Sequence, residues 1–370
     1  RSGSRCLEIS AAAAIEVIGW TTDTIGASQN RAVVAFWFLF PTSLPSADIV
    51  ILDVFKTNVD AQLMFRNSDD KLVMTADGNI GGGGAQAGPT IVADTWYFVE
   101  CHIDVSAVIH TIDWQVDLVA QTQCSSAQAV GTITQIILGD GDAAQTMTCR
   151  YDDVVIWSDT AAITTYPHGK QKVILLKADT GGTTAEIGTA NATSRFTGNA
   201  TADATHNSAN ILAAISEVPP LIGDTATGVC QRTSGAGNAV GIPMTTYTLA
   251  AGESITGLRI VICGWAGSAT ANNYGMRTFN GTTEDIIFAA ADPNFDNNTT
   301  QPAWMCEMVV AASFDTQAEI DALVIRLGYS TDIAPLPGAH AVFAEFAVKE
   351  STAAPAVKNP SFVSQYGSYL

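Results

Sequence analysis

The sequence predicts an all-β protein built from two β-sandwich (jelly-roll-like) domains, the second carrying one short helix. Two stretches carry the prediction. Residues 96–105, WYFVECHIDV, and 151–158, YDDVVIWS, are apolar runs rich in aromatic and β-branched side chains, the composition of buried strand. Between them lie HTIDWQVDLVAQT (110–122) and GTITQIILG (131–139), two further strand-like runs with short polar breaks. Strand following strand without an intervening helix implies antiparallel sheets. A length of 370 residues exceeds what one sandwich core usually organises, so two domains are expected.

Taken in order, residues 5–18 and 33–40 (AVVAFWFL within its flanks) read as strands separated by the polar turn TTDTIGASQN. Strands at 49–56, 61–66 and 71–75 follow at short intervals. Gly81 to Gly84 then open a loop that runs to Trp96. Four strands lead to Ile156, and KVILLKAD, starting at Lys172, adds another. About ten short strands with turn signals between them suit a two-sheet sandwich, assigned here to residues 1–180.

From Thr180 to His206 the composition shifts to Gly, Thr, Ala and Asn, which marks a linker or long loop over 181–212. A second sandwich is expected over 213–350. Its strands are TTYTL (245–249), LRIVICGWAG (258–267), YGMRTFN (274–280), DIIFAA (285–290), WMCEMVVAA (304–312) and HAVFAEFAVKE (340–350). Within SFDTQAEIDALVIRLG, Asp315 is the expected N-cap of a helix. Ala318, Ile320, Leu323, Val324 and Leu327 form its apolar face, and Gly328 stands at the C-cap. Residues 351–370, with Pro355 and Pro360, read as an extended C-terminal arm.

Hydrophobic residues make up 47% of the chain and charged residues 14%, so it has the material for a large core and is not a disordered chain. With 36 Asp and Glu against 17 Lys and Arg, the net charge of −19 disfavours nucleic acid and anionic membranes as partners. Seven cysteines without a C-x-x-C pair read as small buried hydrophobes rather than a disulfide framework, which points to folding in a reducing cytoplasm. The N-x-T sequons at Asn191, Asn199 and Asn280 are expected by chance in a chain so rich in Asn and Thr. No apolar run reaches the roughly 20 residues of a membrane helix. No signal peptide is read, and the chain starts at Arg1 rather than Met.

Candidate chemistry is sparse. Glu319-Ile320-Asp321 begins the E-x-D-x-x-E pattern of sandwich-fold glucanases, which needs alternate carboxylates on one strand face. The third position holds Val324, and the segment has helical period, so the acids are read as a helix first turn. Asp292, Asn294, Asp296 and Asn298 are spaced like the front of a calcium loop. Asn297 and Ala303 replace the Gly and Glu that such a loop requires, so a solvated turn is preferred to a weak calcium site. Asp140 and Asp142 are read in the same way. Asp152 and Asp153 open an apolar strand, and one of them is expected to face inward, held by backbone amides or Arg150. His102, His110, His168, His206 and His340 show no metal-ligand spacing, and no G-x-S-x-G occurs. The glycine run lacks the Lys and Ser/Thr of a phosphate loop. Trp96, Trp114, Trp157, Trp265 and Trp304 lie in strands, where core packing accounts for them. No catalytic residue, metal ligand or cofactor is assigned.

The wording of the strands resembles a family. Residues 5–160 look like a concanavalin or laminin-G-like sandwich. WYFVECHIDVSAVIHTIDWQVD, TITQIILG and YDDVVIWSDTAAITTYPHGKQKVILL more specifically resemble the sandwich domains of bacteriophage minor tail proteins. The Tyr-Asp-Asp strand running into Tyr166-Pro167-x-Gly169 is the most specific piece. SEVPP, the WMCEMVV strand and RLGYS are similar to the second domain of the same proteins. The resemblance implies a non-enzymatic virion subunit of tail tip or baseplate, bound to other virion proteins and to copies of itself, with host-surface glycan as a further partner. The alternatives are a lectin-like glycan-binding module and a capsid decoration or head-fibre protein.

Overall fold

A computed structural model describes residues 6–14, 18–21, 29–55, 59–79, 84–139, 145–158, 166–179, 185–187, 196–197, 212, 215, 229–231, 239–265, 274–288, 303–309, 314–329 and 338–350. The chain is all-β. Its first half forms strands β1 (Leu7–Ala14), β2 (Ile18–Thr21), β3 (Arg31–Leu39), β4 (Ile49–Phe55), β5 (Val59–Arg66), β6 (Lys71–Thr75), β7 (Gln86–Thr90), β8 (Tyr97–Asp104), β9 (Ile109–Val116), β10 (Val119–Ala120), β11 (Cys124–Ala127), β12 (Gln135–Leu138) and β13 (Gln145–Ser158). They assemble into a seven-stranded sheet of order β1-β13-β3-β8-β9-β10, with β11 also on β9, and a six-stranded sheet of order β2-β12-β4-β5-β6-β7.

The second half contributes β14 (Gln171–Lys177), β15 (Ala185–Ile187), β16 (Phe196–Thr197), β17 (Val229–Gln231), β18 (Ala239–Pro243), β19 (Ser254–Trp265), β20 (Tyr274–Phe279), β21 (Glu284–Phe288), β22 (Ala303–Val309), helix α1 (Gln317–Asp321), β23 (Val324–Tyr329) and β24 (Gly338–Lys349). A third sheet runs β16-β17-β24-β19-β22 with β14 on β24, and a fourth runs β15-β18-β23-β20-β21. Every recorded strand pairing in the four sheets is antiparallel.

Side-chain alternation explains how the first sandwich closes. Along β5 and β6, Ala61, Leu63, Phe65, Leu72 and Met74 face one core with Phe36, Phe38, Trp114 and Tyr151 from the facing sheet. The Tyr151 hydroxyl crosses that core to donate to the Ile51 carbonyl at 3.0 Å, which keeps its one polar group satisfied. A second core gathers Leu258, Ile260, Phe314, Ile320, Ile325 and Phe346, and receives Leu212 and Ile215. Strand β3 differs from its neighbours because it is buried on both faces. Ala32, Val34, Phe36 and Phe38 enter the first core, while Val33, Ala35 and Trp37 enter a separate cluster that contains Ala347 of β24. A continuous apolar run is the expected sequence of a strand covered on both sides.

Several sequence expectations are corrected. KVILLKAD is not a tenth strand of the first sandwich. It forms β14, paired with β24 from Gln171↔Lys349 to Lys177↔Phe343, so the second pair of sheets begins before residue 180. The helix covers only Gln317–Asp321, with Thr316 rather than Asp315 as N-cap. From Val324 the chain is strand, and Gly328 pairs with Ala239 and Gly275 instead of capping a helix. The β-branched Val324 and Ile325 tip a marginal helix into the central strand of the fourth sheet, between β18 and β20. TTYTL is not a strand; the strand there is β18, immediately before it. The run 5–18 breaks into β1 and the start of β2, and residues 110–122 break into β9 and β10. The loop before Trp96 contains β7, an edge strand whose Pro89 is tolerated because its outer side needs no ladder partner. The stretch from Thr180 to His206 contains β15 and β16.

Cys101, Cys124 and Cys149 are free and buried, and Cys6 is free and exposed. Burial pushes the Cys124 and Cys149 thiols up to about 12, which leaves them as unreactive hydrophobes. Among the described residues, no helix is long and apolar enough to cross a membrane. The arm 351–370 lies outside the described residues.

Candidate functional site

The outward face of the first sandwich's seven-stranded sheet is where polar chemistry collects. On β8, Cys101 and Ile103 face the core, so Glu100 and His102 face away from it. Glu100 sits between Ala35 of β3 and Gln115 of β9 in the cross-strand register. It is fully buried because the segment entering β14 lies over it. Its Oε1 accepts the backbone N–H of His168 at 2.6 Å. Its Oε2 accepts the N–H of Gly169 at 3.0 Å and the Gln115 side-chain amide at 2.6 Å. Consecutive backbone N–H groups aimed at one anion form a nest, and the positive φ of Gly169, 86°, shapes it.

Neighbouring contacts extend the joint. His168 stacks on Trp157, ring centroids 4.3 Å apart and planes within 12°. The Trp37 indole donates to the Gln171 carbonyl at 3.2 Å and lies under the Lys170 ammonium at 4.7 Å. The Gln171 amide donates to the Gly169 carbonyl at 3.0 Å and accepts from the Thr256 hydroxyl at 2.7 Å, tying β14 to β19. Tyr166, in a cis peptide with Pro167, packs beside His102 with centroids 5.6 Å apart. Val33, Ala35, Trp37, Phe98, Val155, Trp157 and Ala347 supply the apolar floor.

The Asp152-Asp153 pair has the structural role its sequence suggests, with one acid buried and held by a backbone amide, but at the joint rather than in the first core. Regular alternation is interrupted by a bulge between Asp152 and Val155, and Asp153 takes φ 50°. The bulge moves Val155 and Trp157 onto the outward face while Val154 and Ile156 turn toward the first core. Asp153 is buried at the joint and accepts the backbone N–H of Val173 at 2.7 Å. That N–H belongs to β14, whose partner β24 lies on its other side, so the carboxylate closes part of a sheet edge. Arg150 pairs with Glu8 at 2.7 Å and takes no part.

The electrostatics suit a fastening. Burial raises the Glu100 pKa above the ordinary carboxylate value, and the bonds from His168, Gly169 and Gln115 pull it back down. Burial, with Lys349 nearby, pushes His168 down to about 4, so its imidazole is neutral near pH 7. A carboxylate that is shut from solvent and holds three N–H donors has no free geometry to take a substrate proton. The arrangement fastens the first sandwich to the segment that enters β14.

The remaining candidates do not converge there. Glu319 closes a capping box with Thr316, and Asp321 accepts from Gln317 at 2.8 Å, so both acids serve the helix end. His102 lies 3.8 Å from Asp113, and His110 is buried in β9. Trp114 is buried in the first core and Trp96 is half-buried beside the joint. Asp140, Asp142, Asp292, Asn294, Asp296, Asn298 and His206 lie outside the described residues, as do the side chains of Trp265, Trp304 and His340. Among the described residues, no group of three or more His, Cys, Asp or Glu is placed to hold a metal ion.

No protein-family model and no curated protein matches the chain. Solved structures align with part of the chain at low similarity. Cellulose induced protein Cip1 is 14% identical with a TM-score of 0.33, over 43% of this chain and 82% of that one. The botulinum neurotoxin serotype D binding domain is 13% identical with a TM-score of 0.32, over 44% and 43%. A sialidase is 16% identical with a TM-score of 0.30, over 40% of this chain and only 14% of its own length. None of these likenesses assigns a ligand or a reaction to this chain.

The sequence reading singled out Gly169 as part of Tyr166-Pro167-x-Gly169 but passed over Glu100, Trp37, Gln115 and Gln171. One signal was available: Glu100 is the lone carboxylate inside the apolar run WYFVECHI, and a buried acid demands donors.

Proposed function

We propose that this chain is a non-enzymatic structural subunit of a virion, a minor tail protein of tail tip or baseplate that also serves in host-surface attachment. The observation that carries the reading is the joint. The Tyr-Asp-Asp strand and the Tyr166-Pro167-x-Gly169 turn, the pieces that most specifically resemble phage tail sandwiches, are the pieces that fasten the two sandwiches together. A pair of sandwiches fastened by a buried polar joint suits load-bearing assembly, where many weak contacts add through multivalency. Its partners on this reading are other virion proteins and copies of itself.

Immunogold labelling of purified particles tests the proposal. Label at the tail tip is the expected outcome. Label on the capsid surface would transfer the chain to the decoration or head-fibre class. No label on any particle, with binding on a glycan array, would replace the proposal with a free lectin-like module.

A further inference from the structure

The turn between β20 and β21 holds a side-chain amide in a cradle of donors. Asn280 and Gly281 form the one Asn-Gly pair in the sequence. Asn280 is only 6% exposed, and its side chain folds back over its own turn. Its Oδ1 accepts four hydrogen bonds. Two come from the backbone N–H groups of Thr282 at 3.1 Å and Thr283 at 2.8 Å, and two from the hydroxyls of the same residues at 3.1 and 3.0 Å. The two backbone donors identify that atom as the oxygen and not the amide nitrogen. An amide oxygen has two lone pairs, so four donors exceed what it can use. They suit an oxygen that carries negative charge. Gly281 is exposed at φ 93°, and a Cβ there would stand 3.0 Å from the Ala322 Cβ, so no side chain screens its nitrogen.

We propose that Asn280 is a site of spontaneous modification, an amide that the native turn converts to a carboxylate. The Gly281 backbone nitrogen loses its proton to solvent base and bonds to Asn280 Cγ. The Cγ–Nδ2 bond breaks, and ammonia leaves with a proton. Negative charge develops on Oδ1 in this step, where the four donors converge, as in the oxyanion holes of acyl transfer. Water then opens the cyclic imide. Opening at Cγ restores the original backbone and leaves an aspartate side chain. Opening at the Asn280 main-chain carbonyl leaves an isoaspartate link, with one more atom in the chain. The donors polarise Cγ, so water is directed there and aspartate is the favoured product. The new carboxylate keeps its donors as charge-assisted hydrogen bonds, and the Phe279↔Glu284 pairing at the hairpin end is preserved. This inference does not depend on the virion reading.

Ageing of the full chain at mildly alkaline pH, natively and in urea, tests the proposal. Peptide mass mapping follows residue 280, and an isoaspartyl methyltransferase assay separates the two acid products. In the native chain the acid should accumulate at residue 280 ahead of Asn67, which precedes Ser68, with ammonia released in step and aspartate in excess. In urea, where the donors disperse, isoaspartate should be in excess. Thr282→Val combined with Thr283→Val removes two hydroxyl donors from exposed positions and keeps both N–H groups. It should slow the native conversion several-fold. Asn280→Asp should melt no lower than the wild type at neutral pH. An amide that persists in the native chain while urea releases it, isoaspartate in excess in both states, a double variant that converts at the wild-type rate, or an Asn280→Asp variant that melts lower overturns the proposal.

Discussion

The Glu100 carboxylate of the first sandwich accepts the backbone N–H of His168 at 2.6 Å, in the segment that leads into the second. Gly169 and Gln115 complete its set of donors. Replacing Glu100 with Ala strands these buried donors, at about 1–3 kcal/mol for each group left unsatisfied. Glu100→Gln keeps one acceptor oxygen and should cost less. Urea denaturation followed by tryptophan fluorescence measures both; equal losses for the two variants would show that hydrogen bonding is not what matters there.

Gly169→Ala places a side chain at φ 86° and its Cβ 3.4 Å from Lys349 Cε. The conformation alone costs about 1–2 kcal/mol. Thermal unfolding should show a loss of that size, and a neutral result would mean that the nest is looser than described.

Gly88 explains how the edge strand β7 lies on the first core. A Cβ there would stand 2.4 Å from Cη2 of the buried Trp114, whose indole is fixed by donation to Thr122 at 2.9 Å. Gly88→Ala therefore forces the ring or the strand to shift, at roughly the 1–3 kcal/mol of an overpacked core. Near-ultraviolet circular dichroism should change with it; an unchanged spectrum at full stability would rule out the close approach.

The joint should also respond to pH through His168, whose folded pKa is pushed to about 4 against an ordinary value of 6.5. The unfolded imidazole takes a proton below about 6.5 and the folded one only near 4. Its contribution is thus complete above pH 6.5 and is lost as pH falls toward 4, up to about 3 kcal/mol at about 1.4 kcal/mol per pKa unit. Glu100 acts in the opposite sense: its pKa is raised, so the cost of holding it ionised is relieved by acid. His168→Phe keeps a ring on Trp157 and removes the titration. Compared by urea midpoints at pH 7 and 4.5, the wild type should lose more stability than the variant on acidification, and parallel slopes would refute the assignment.

Strand content was legible in the sequence wherever alternation or a continuous apolar run was long, as in β3, β8 and β19. Short edges escaped. Strand β7 contains Gly and Pro, and the β9–β10 turn uses Asp117 and Leu118 at φ 48° and 69° where Asn-Gly would have announced it. The membership of β14 was unreadable locally, because KVILLKAD pairs with a strand some 170 residues away in the chain. The same holds for the joint. Glu100 and Asp153 draw their donors from residues 168, 169 and 173, and no local pattern links them.

Glu100 and Asp153 are expected to make the two sandwiches one cooperative body. Differential scanning calorimetry of the full chain tests it most directly. The wild type should unfold in a single transition that divides into two in the Glu100→Ala, Asp153→Ala double variant. Two separated transitions in the wild type, or a double variant that still melts as one unit at the wild-type temperature, would contradict it.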